Sequence, residues 1–160
     1  MERLEEIVGR GLLQKGWSIA CAESCTGGLL TSRLTDVAGS SAYVKGCVVA
    51  YSNEIKARLL GVSEETLRIY GAVSEQTAAE MSEGIRRTIG TDVGIGITGI
   101  AGPGGGTEEK PVGLVYISVS GKDGTVVQEH HFRGTRAEIK RQSAENALSL
   151  VSNYIRRSQS

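Results

Sequence analysis

Three side chains in this sequence could act together on a carbonyl: Ser24, Tyr51 and Lys56. Ser24 lies in Ala22-Glu23-Ser24-Cys25-Thr26-Gly27-Gly28, a run that ends an apolar stretch and opens a helical pattern. A serine there sits beside unsatisfied helix N–H groups. Those groups can be capped by the serine itself, or they can stabilise an oxyanion formed when it attacks a carbonyl. The small residues behind Ser24 leave room for a substrate. A nucleophilic serine needs a base. His130 and His131 are neighbours in a strand pattern and point to opposite faces, and there is no GxSxG elbow, so a Ser-His-Asp triad is not expected. A lysine serves if burial or a like charge lowers its pKa. Lys56 is the candidate, in Tyr51-Ser52-Asn53-Glu54-Ile55-Lys56, with Tyr51 placed to orient it or relay its proton. Taken alone, Lys56 reads equally as a solvated helix lysine, and the residues leave both uses open.

The elements that must position this trio follow from periodicity. Helical spacing is read over 3–15, 26–34, 52–60, a two-turn segment after Ser63 ending before Gly71, 74–89 and 135–156. Ser52, Ser63 and Ser74 stand where N-caps belong, and Gly16 and Gly61 where helices stop. Apolar strands are read at 17–22, 43–51, 92–97, 113–119 and 126–132, with the last two joined as a hairpin across Gly121–Gly124. Helix-separated strands imply a single α/β domain spanning 1–160. The expected form is a three-layer α/β/α sandwich on a mixed, mostly parallel sheet. Parallel strands would bring the Ser24 and Tyr51 ends to one sheet edge. The apolar-sided helices at 3–15 and 135–156 either cover the sheet or pair with a second copy in a homo-oligomer; the sequence leaves that open.

Twenty-two glycines in 160 residues are about twice the usual share of roughly 7%. Gly94-x-Gly96-x-x-Gly99 fits the dinucleotide fingerprint as a pattern, but two of its glycines fall inside a strand instead of at a strand-to-helix turn. No GK[ST] follows a glycine turn, so the P-loop pattern is absent. What remains is a long glycine loop, Thr98-Gly99-Ile100-Ala101-Gly102-Pro103-Gly104-Gly105-Gly106-Thr107, at the carboxyl end of a strand. Ligands of open α/β sheets bind there, and glycine lets backbone amides approach them closely.

Eighteen basic residues balance eighteen acidic ones, and aromatics are only 4%. That combination argues against nucleic-acid binding, which needs a basic face or a stacking platform. No stretch approaches the ~20 apolar residues of a membrane span, and the amino terminus lacks a secretory pattern. A cytoplasmic location with Cys21, Cys25 and Cys47 as free thiols is therefore expected. Cys21-x3-Cys25 is not a zinc spacing, and neither a metal nor a cofactor is expected.

Four ordered segments carry a family resemblance: AESCTGGLL, GSSAYVKGCVVAYSNEIKARLLGV, GAVSEQTAAEMSEGIR and TGIAGPGGGTEEKPVGLVYI. Together they resemble the CinA carboxyl-terminal domain family, the bacterial nicotinamide-nucleotide amidohydrolases, over nearly the whole chain. The family often carries this domain behind a larger amino-terminal one, and this chain resembles the stand-alone form. The resemblance implies hydrolysis of nicotinamide mononucleotide to nicotinate mononucleotide and ammonia, with Ser24, Tyr51 and Lys56 as the catalytic residues. It makes a small pyridine nucleotide the expected partner. Substrate contacts are then expected from Glu23, Thr26 and Gly27 around the serine. Thr98, Gly99, Ala101, Gly102 and Gly104 supply them from the glycine loop, and Arg133 and Arg136 at a helix start would take the phosphate, with Lys110 as a further cation. Two rivals stand beside the amidase: a non-catalytic nucleotide-binding module, and a competence- or damage-related interaction domain.

Overall fold

The structure, a computed structural model, describes residues 1–158. Its elements run α1 (Leu4–Lys15), β1 (Ile19–Glu23), α2 (Leu29–Thr35), β2 (Val44–Val49), α3 (Asn53–Leu60), α4 (Glu64–Tyr70), α5 (Glu75–Ile89), β3 (Val93–Gly99), β4 (Leu114–Gly121), β5 (Gly124–His131) and α6 (Arg136–Arg157). The five strands form one sheet in the order β2-β1-β3-β4-β5. β1 pairs in parallel with β2 and β3, and the β3-β4 and β4-β5 pairs are antiparallel. Four of the five strands therefore run in one direction, and the late hairpin makes the sheet mixed, as expected.

Period-2 alternation splits the core between the two sheet faces. Ile19 and Cys21 of β1 and Ile95 and Ile97 of β3 face α1, α2 and α6, where Leu12, Leu30 and Leu148 are fully buried. Ala20 and Ala22 face the other way, onto Met81 and Ile85 of α5 and Leu60 of α3. The small residues on that second face have a cause. A Cβ on Gly96 would lie 2.6 Å from the Ala78 carbonyl oxygen and 2.8 Å from the Ser118 Oγ, and one on Gly94 would lie 2.9 Å from the Arg86 Cβ. Gly94 and Gly96 of the apparent dinucleotide fingerprint thus let the α5 backbone lie directly on the sheet.

Serine caps start the three helices beside the site. Ser52, Ser63 and Ser74 accept from Ile55, Thr66 and Thr77 amides respectively, as their positions in the sequence imply. α2 departs from expectation. It begins at Leu29, not at Thr26, because Gly27 and Gly28 take successive left-handed conformations (φ 60° and 101°) that only glycine adopts readily. Ser24 consequently sits in a tight turn before the helix and not on its first turn.

Candidate active site

The parallel pairing brings three strand ends together. The Ser24 amide donates to the Ile97 carbonyl at 3.0 Å, and the Ala50 amide donates to the Glu23 carbonyl at 2.8 Å. The ladder thus runs one residue past β1 on each side. Ser24 follows β1 directly, Ala50 and Tyr51 follow β2, and Thr98 and Gly99 close β3. An open cleft of about 220 Å³ lies over these ends. Its inner wall holds Ser24, Cys25 and Lys56; Tyr51, Asn53 and Arg136 form its rim.

Lys56 comes from the first turn of α3, whose Ser52 cap fixes where the helix starts. Its side chain is 2% exposed. The Nζ donates to Ser24 Oγ at 3.1 Å and to the Ala50 carbonyl at 2.9 Å. Burial lowers its pKa below the ordinary lysine value, an effect only partly opposed by the nearby Cys25 thiol. No carboxylate contributes: Glu54, two residues earlier, points to solvent and pairs with Arg58. Cys25 lines the same wall, and burial pushes its thiol up to about 12, which leaves it protonated and a poor nucleophile. Of the two, Ser24 is the one with an amine at hydrogen-bond distance.

Three expected contacts change role. Tyr51 does not hold the lysine. It is 62% exposed, and its hydroxyl accepts from Arg136 Nη2 at 2.9 Å; the Ala50 carbonyl holds the lysine instead. The reason is that β2 ends at Val49, so Tyr51 lies beyond the ladder and swings toward α6. Glu23, expected at the substrate, is fully buried and faces the α2 side of the sheet. Its Oε1 accepts from Thr26 Oγ1 (2.6 Å), the Leu30 amide (3.0 Å) and the Gly28 amide (3.2 Å). Its Oε2 accepts from the Thr31 amide (2.9 Å) and hydroxyl (2.6 Å), with Cys47 Sγ at 3.6 Å. Glu23 is therefore the anion that neutralises the α2 amino terminus and ties down the Ser24 turn. Thr26, 1% exposed, spends its hydroxyl on Glu23 and is scaffold too.

The glycine loop divides. Thr98, Gly99 and Ala101 line the cleft, although the Thr98 hydroxyl is already committed to the Ala72 carbonyl at 2.7 Å. Gly99 is small because a Cβ there would meet Val115 of β4 at 2.6 Å. Gly102 is buried and its carbonyl accepts from Arg136 Nη1 at 2.7 Å, so the loop and α6 brace each other. Gly104 and the residues after it are exposed and do not line the cleft. Arg136 is brought to the site, and Arg133 is exposed and off its rim. Lys110 donates to the Tyr70 carbonyl at 2.5 Å, where it braces the Ala72–Val73 wall from behind. Gly27 is exposed, next to Lys140 of α6, and is not among the residues lining the cleft. Asn53, Ala72 and Val73 line the cleft although the sequence did not single them out. Of these, Asn53 alone carries a sequence signal, since it shares the Tyr51–Lys56 segment.

Among the described residues no cluster of three or more His, Cys, Asp or Glu side chains could hold a metal ion, and no helix is long and apolar enough to cross a membrane.

Comparisons with known proteins bear on the whole chain. The model of the CinA C-terminal domain family matches residues 1–155. A Moorella thermoacetica protein named as competence-damage inducible is 50% identical over 155 residues, which make up 97% of this chain and 37% of that one. A CinA-like protein of Acidobacterium capsulatum is 51% identical over 150 residues, 94% of this chain and 36% of its own. The chain thus spans little more than a third of the curated relatives it matches. Solved structures match end to end. The competence/damage inducible protein CihA of Agrobacterium tumefaciens has a TM-score of 0.91 at 38% identity, with 98% of each chain covered. The competence damage-inducible protein A of Klebsiella pneumoniae has a TM-score of 0.93 at 34% identity, with 99% of this chain and 100% of that one covered.

Proposed function

The chain belongs to the CinA C-terminal domain family, and from that premise we propose that it is an amidase hydrolysing the carboxamide of nicotinamide mononucleotide by a serine–lysine mechanism. The observation that carries the reading is the buried Lys56 Nζ, 3.1 Å from Ser24 Oγ and without a carboxylate counterion. A structural lysine gains nothing from that setting; a base needs it, because only the neutral amine accepts a proton.

In the proposed reaction Ser24 Oγ bonds to the carboxamide carbon as its proton passes to Lys56 Nζ. The carbonyl oxygen becomes an oxyanion. The amides of Cys25 and Thr26 support its stabilisation: they follow the nucleophile in the turn, and no oxygen acceptor within the described chain uses them, unlike the flanking Ser24 and Gly27 amides. Collapse breaks the carbon–nitrogen bond, and the lysine's proton leaves on ammonia. Water then adds to the ester, giving its proton to Lys56. The bond from Ser24 Oγ to the carbonyl carbon breaks as Lys56 returns that proton to Oγ, and nicotinate mononucleotide is released. Tyr51 acts at the rim in this reading, fixed by Arg136 against the loop and not by the lysine. Neither a metal nor an organic cofactor has a step to perform, and the setting is a cytoplasmic pool of free mononucleotide.

The test is ammonia release from nicotinamide mononucleotide by the purified chain, with Ser24→Ala as control. Turnover by the wild type and its loss in the variant support the reading. Ammonia from neither protein, with mononucleotide still bound in calorimetry, would leave a binding module instead.

A further inference from the structure

Next to the residues that line the cleft, above the Ser24 turn, stands a second cation that no motif in the sequence singles out. Lys140 stands four residues after Arg136 on α6, so the two side chains share one helix face one turn apart. Its ammonium lies 3.7 Å from the position a Cβ on Gly27 would take, and it acts electrostatically on the Cys25 thiol of the cleft wall. It therefore hangs over the turn that holds Ser24. Neither Lys140 nor Arg136 has a carboxylate within ion-pair distance among the described residues. The neighbouring acids are committed elsewhere: Glu138 caps α6 through the Thr135 amide, Glu145 pairs with Arg33, and Glu23 is sealed beneath the turn. Arg136 uses two of its five N–H donors, on the neutral Gly102 carbonyl and the Tyr51 hydroxyl, and keeps the others. Two positive charges without a carboxylate partner thus stand one helical turn apart, Arg136 on the cleft rim and Lys140 over the turn that carries Ser24.

We propose that Lys140 is a substrate-specificity residue which, with Arg136, clamps the phosphomonoester of the substrate at the cleft mouth. The proposal rests on the amidase reading for the identity of that substrate. A phosphomonoester is close to a dianion at neutral pH, and two cations on one helix face match it in charge. The geometry also orders the ligand. A mononucleotide has its carboxamide ring and its phosphate at opposite ends of the ribose. Phosphate between Arg136 and Lys140 would therefore direct the ring inward, toward Ser24. Gly27 belongs to the same device: it turns the chain beneath the lysine in a left-handed conformation, and a Cβ there would already be in contact with the ammonium.

The experiment compares Lys140→Gln and Lys140→Arg with the wild type on nicotinamide mononucleotide and nicotinamide riboside, which differ only by the phosphate. Lys140→Gln is expected to lower the mononucleotide-to-riboside ratio of kcat/KM about tenfold, through KM, and Lys140→Arg to restore most of it. An unchanged ratio overturns the proposal. Calorimetry with inorganic phosphate separates it from the amidase reading. Wild-type binding that Lys140→Gln weakens supports the clamp even if no ammonia is released. Phosphate that ignores the substitution, or fails to bind the wild type, overturns the clamp even in an active enzyme.

Discussion

Replacing Lys56 tests the chemistry and the energetics of the site at once. An ordinary lysine has a pKa near 10.4, so about four molecules in ten thousand carry a neutral amine at pH 7. Burial against Ser24 and Ala50 lowers the Lys56 value, and every tenfold weakening of its hold on the proton raises the neutral fraction about tenfold. Activity is therefore expected to rise with pH and level off at an apparent pKa below 10.5. Lys56→Arg keeps the charge but cannot release a proton in this range, so kcat should fall by about a thousandfold or more. Lys56→Met should be equally inactive. Stability changes with pH in the same direction, although the burial that favours the base costs stability. The folded pKa is below the unfolded one, so between the two values the unfolded chain holds more protons and stability rises with pH. Below the folded pKa the full cost of burying an ammonium persists, at about 1.4 kcal/mol for each tenfold weakening of proton affinity on folding. Lys56→Met removes that cost and leaves the Ala50 carbonyl without its partner, worth about 1–3 kcal/mol the other way. The variant should thus be dead, close to wild type in stability at pH 7, and without the wild type's gain in stability as the pH rises toward the ordinary lysine value in urea melts. Lys56→Arg at a tenth of the wild-type rate or better, with an unchanged pH profile, would refute the reasoning and turn attention to Tyr51.

Ser24→Ala should cost at least a thousandfold in ammonia release while moving the melting temperature only a few degrees, because the hydroxyl's hydrogen-bond partner is the Lys56 ammonium. Glu23→Gln should destabilise by about 3 kcal/mol in denaturant titrations and lower kcat with it, because an amide NH₂ would face donors that the carboxylate now accepts from; melting within about 2 °C of the wild type would show that the carboxylate does not organise the turn. Gly96→Ala should destabilise by about 1–3 kcal/mol in urea, since its methyl would meet the Ala78 carbonyl, and a neutral result would mean that α5 can lift from the sheet.

Much of the arrangement was legible because it depends on order and periodicity. Strand, turn and helix around Ser24 and around Tyr51–Lys56, taken with parallel pairing, suffice to put both segments at one sheet edge, and the register Glu23↔Val49 does so. What was hidden depends on side-chain direction across long separations. A carboxylate beside a nucleophile looks like chemistry in a sequence; only the approach of Thr31 and Cys47 shows that Glu23 is enclosed. Tyr51 and Arg136 are 85 residues apart, and no local pattern joins them. Lys140 reads as one more helix lysine until Gly27 is seen beneath it. The glycines of β3 could be excluded from a dinucleotide site by their place in a strand, but their positive use needed the path of α5.

The placement of Glu23 and Lys56 also explains how a buried acid and a buried base coexist next to one serine. Successive residues of a strand point to opposite faces. Ala22 faces α3 and α5, so Glu23 faces α2, and Ser24, at the end of the same extended run, returns to the α3 side, where Lys56 descends. The sheet itself stands between the carboxylate and the amine. If both lay on one face at contact distance they would form an ion pair, the lysine would be held protonated, and no base would remain. On opposite faces each takes a different partner. The glutamate meets the amide ends of α2, whose partial positive charge suits an anion, and the lysine meets only a hydroxyl and a carbonyl, which accept from an ammonium without supplying the full negative charge that would fix it. The alternation of a single strand thus secures both a fixed Ser24 turn and a buried lysine without a carboxylate partner, the setting that the proposed base requires.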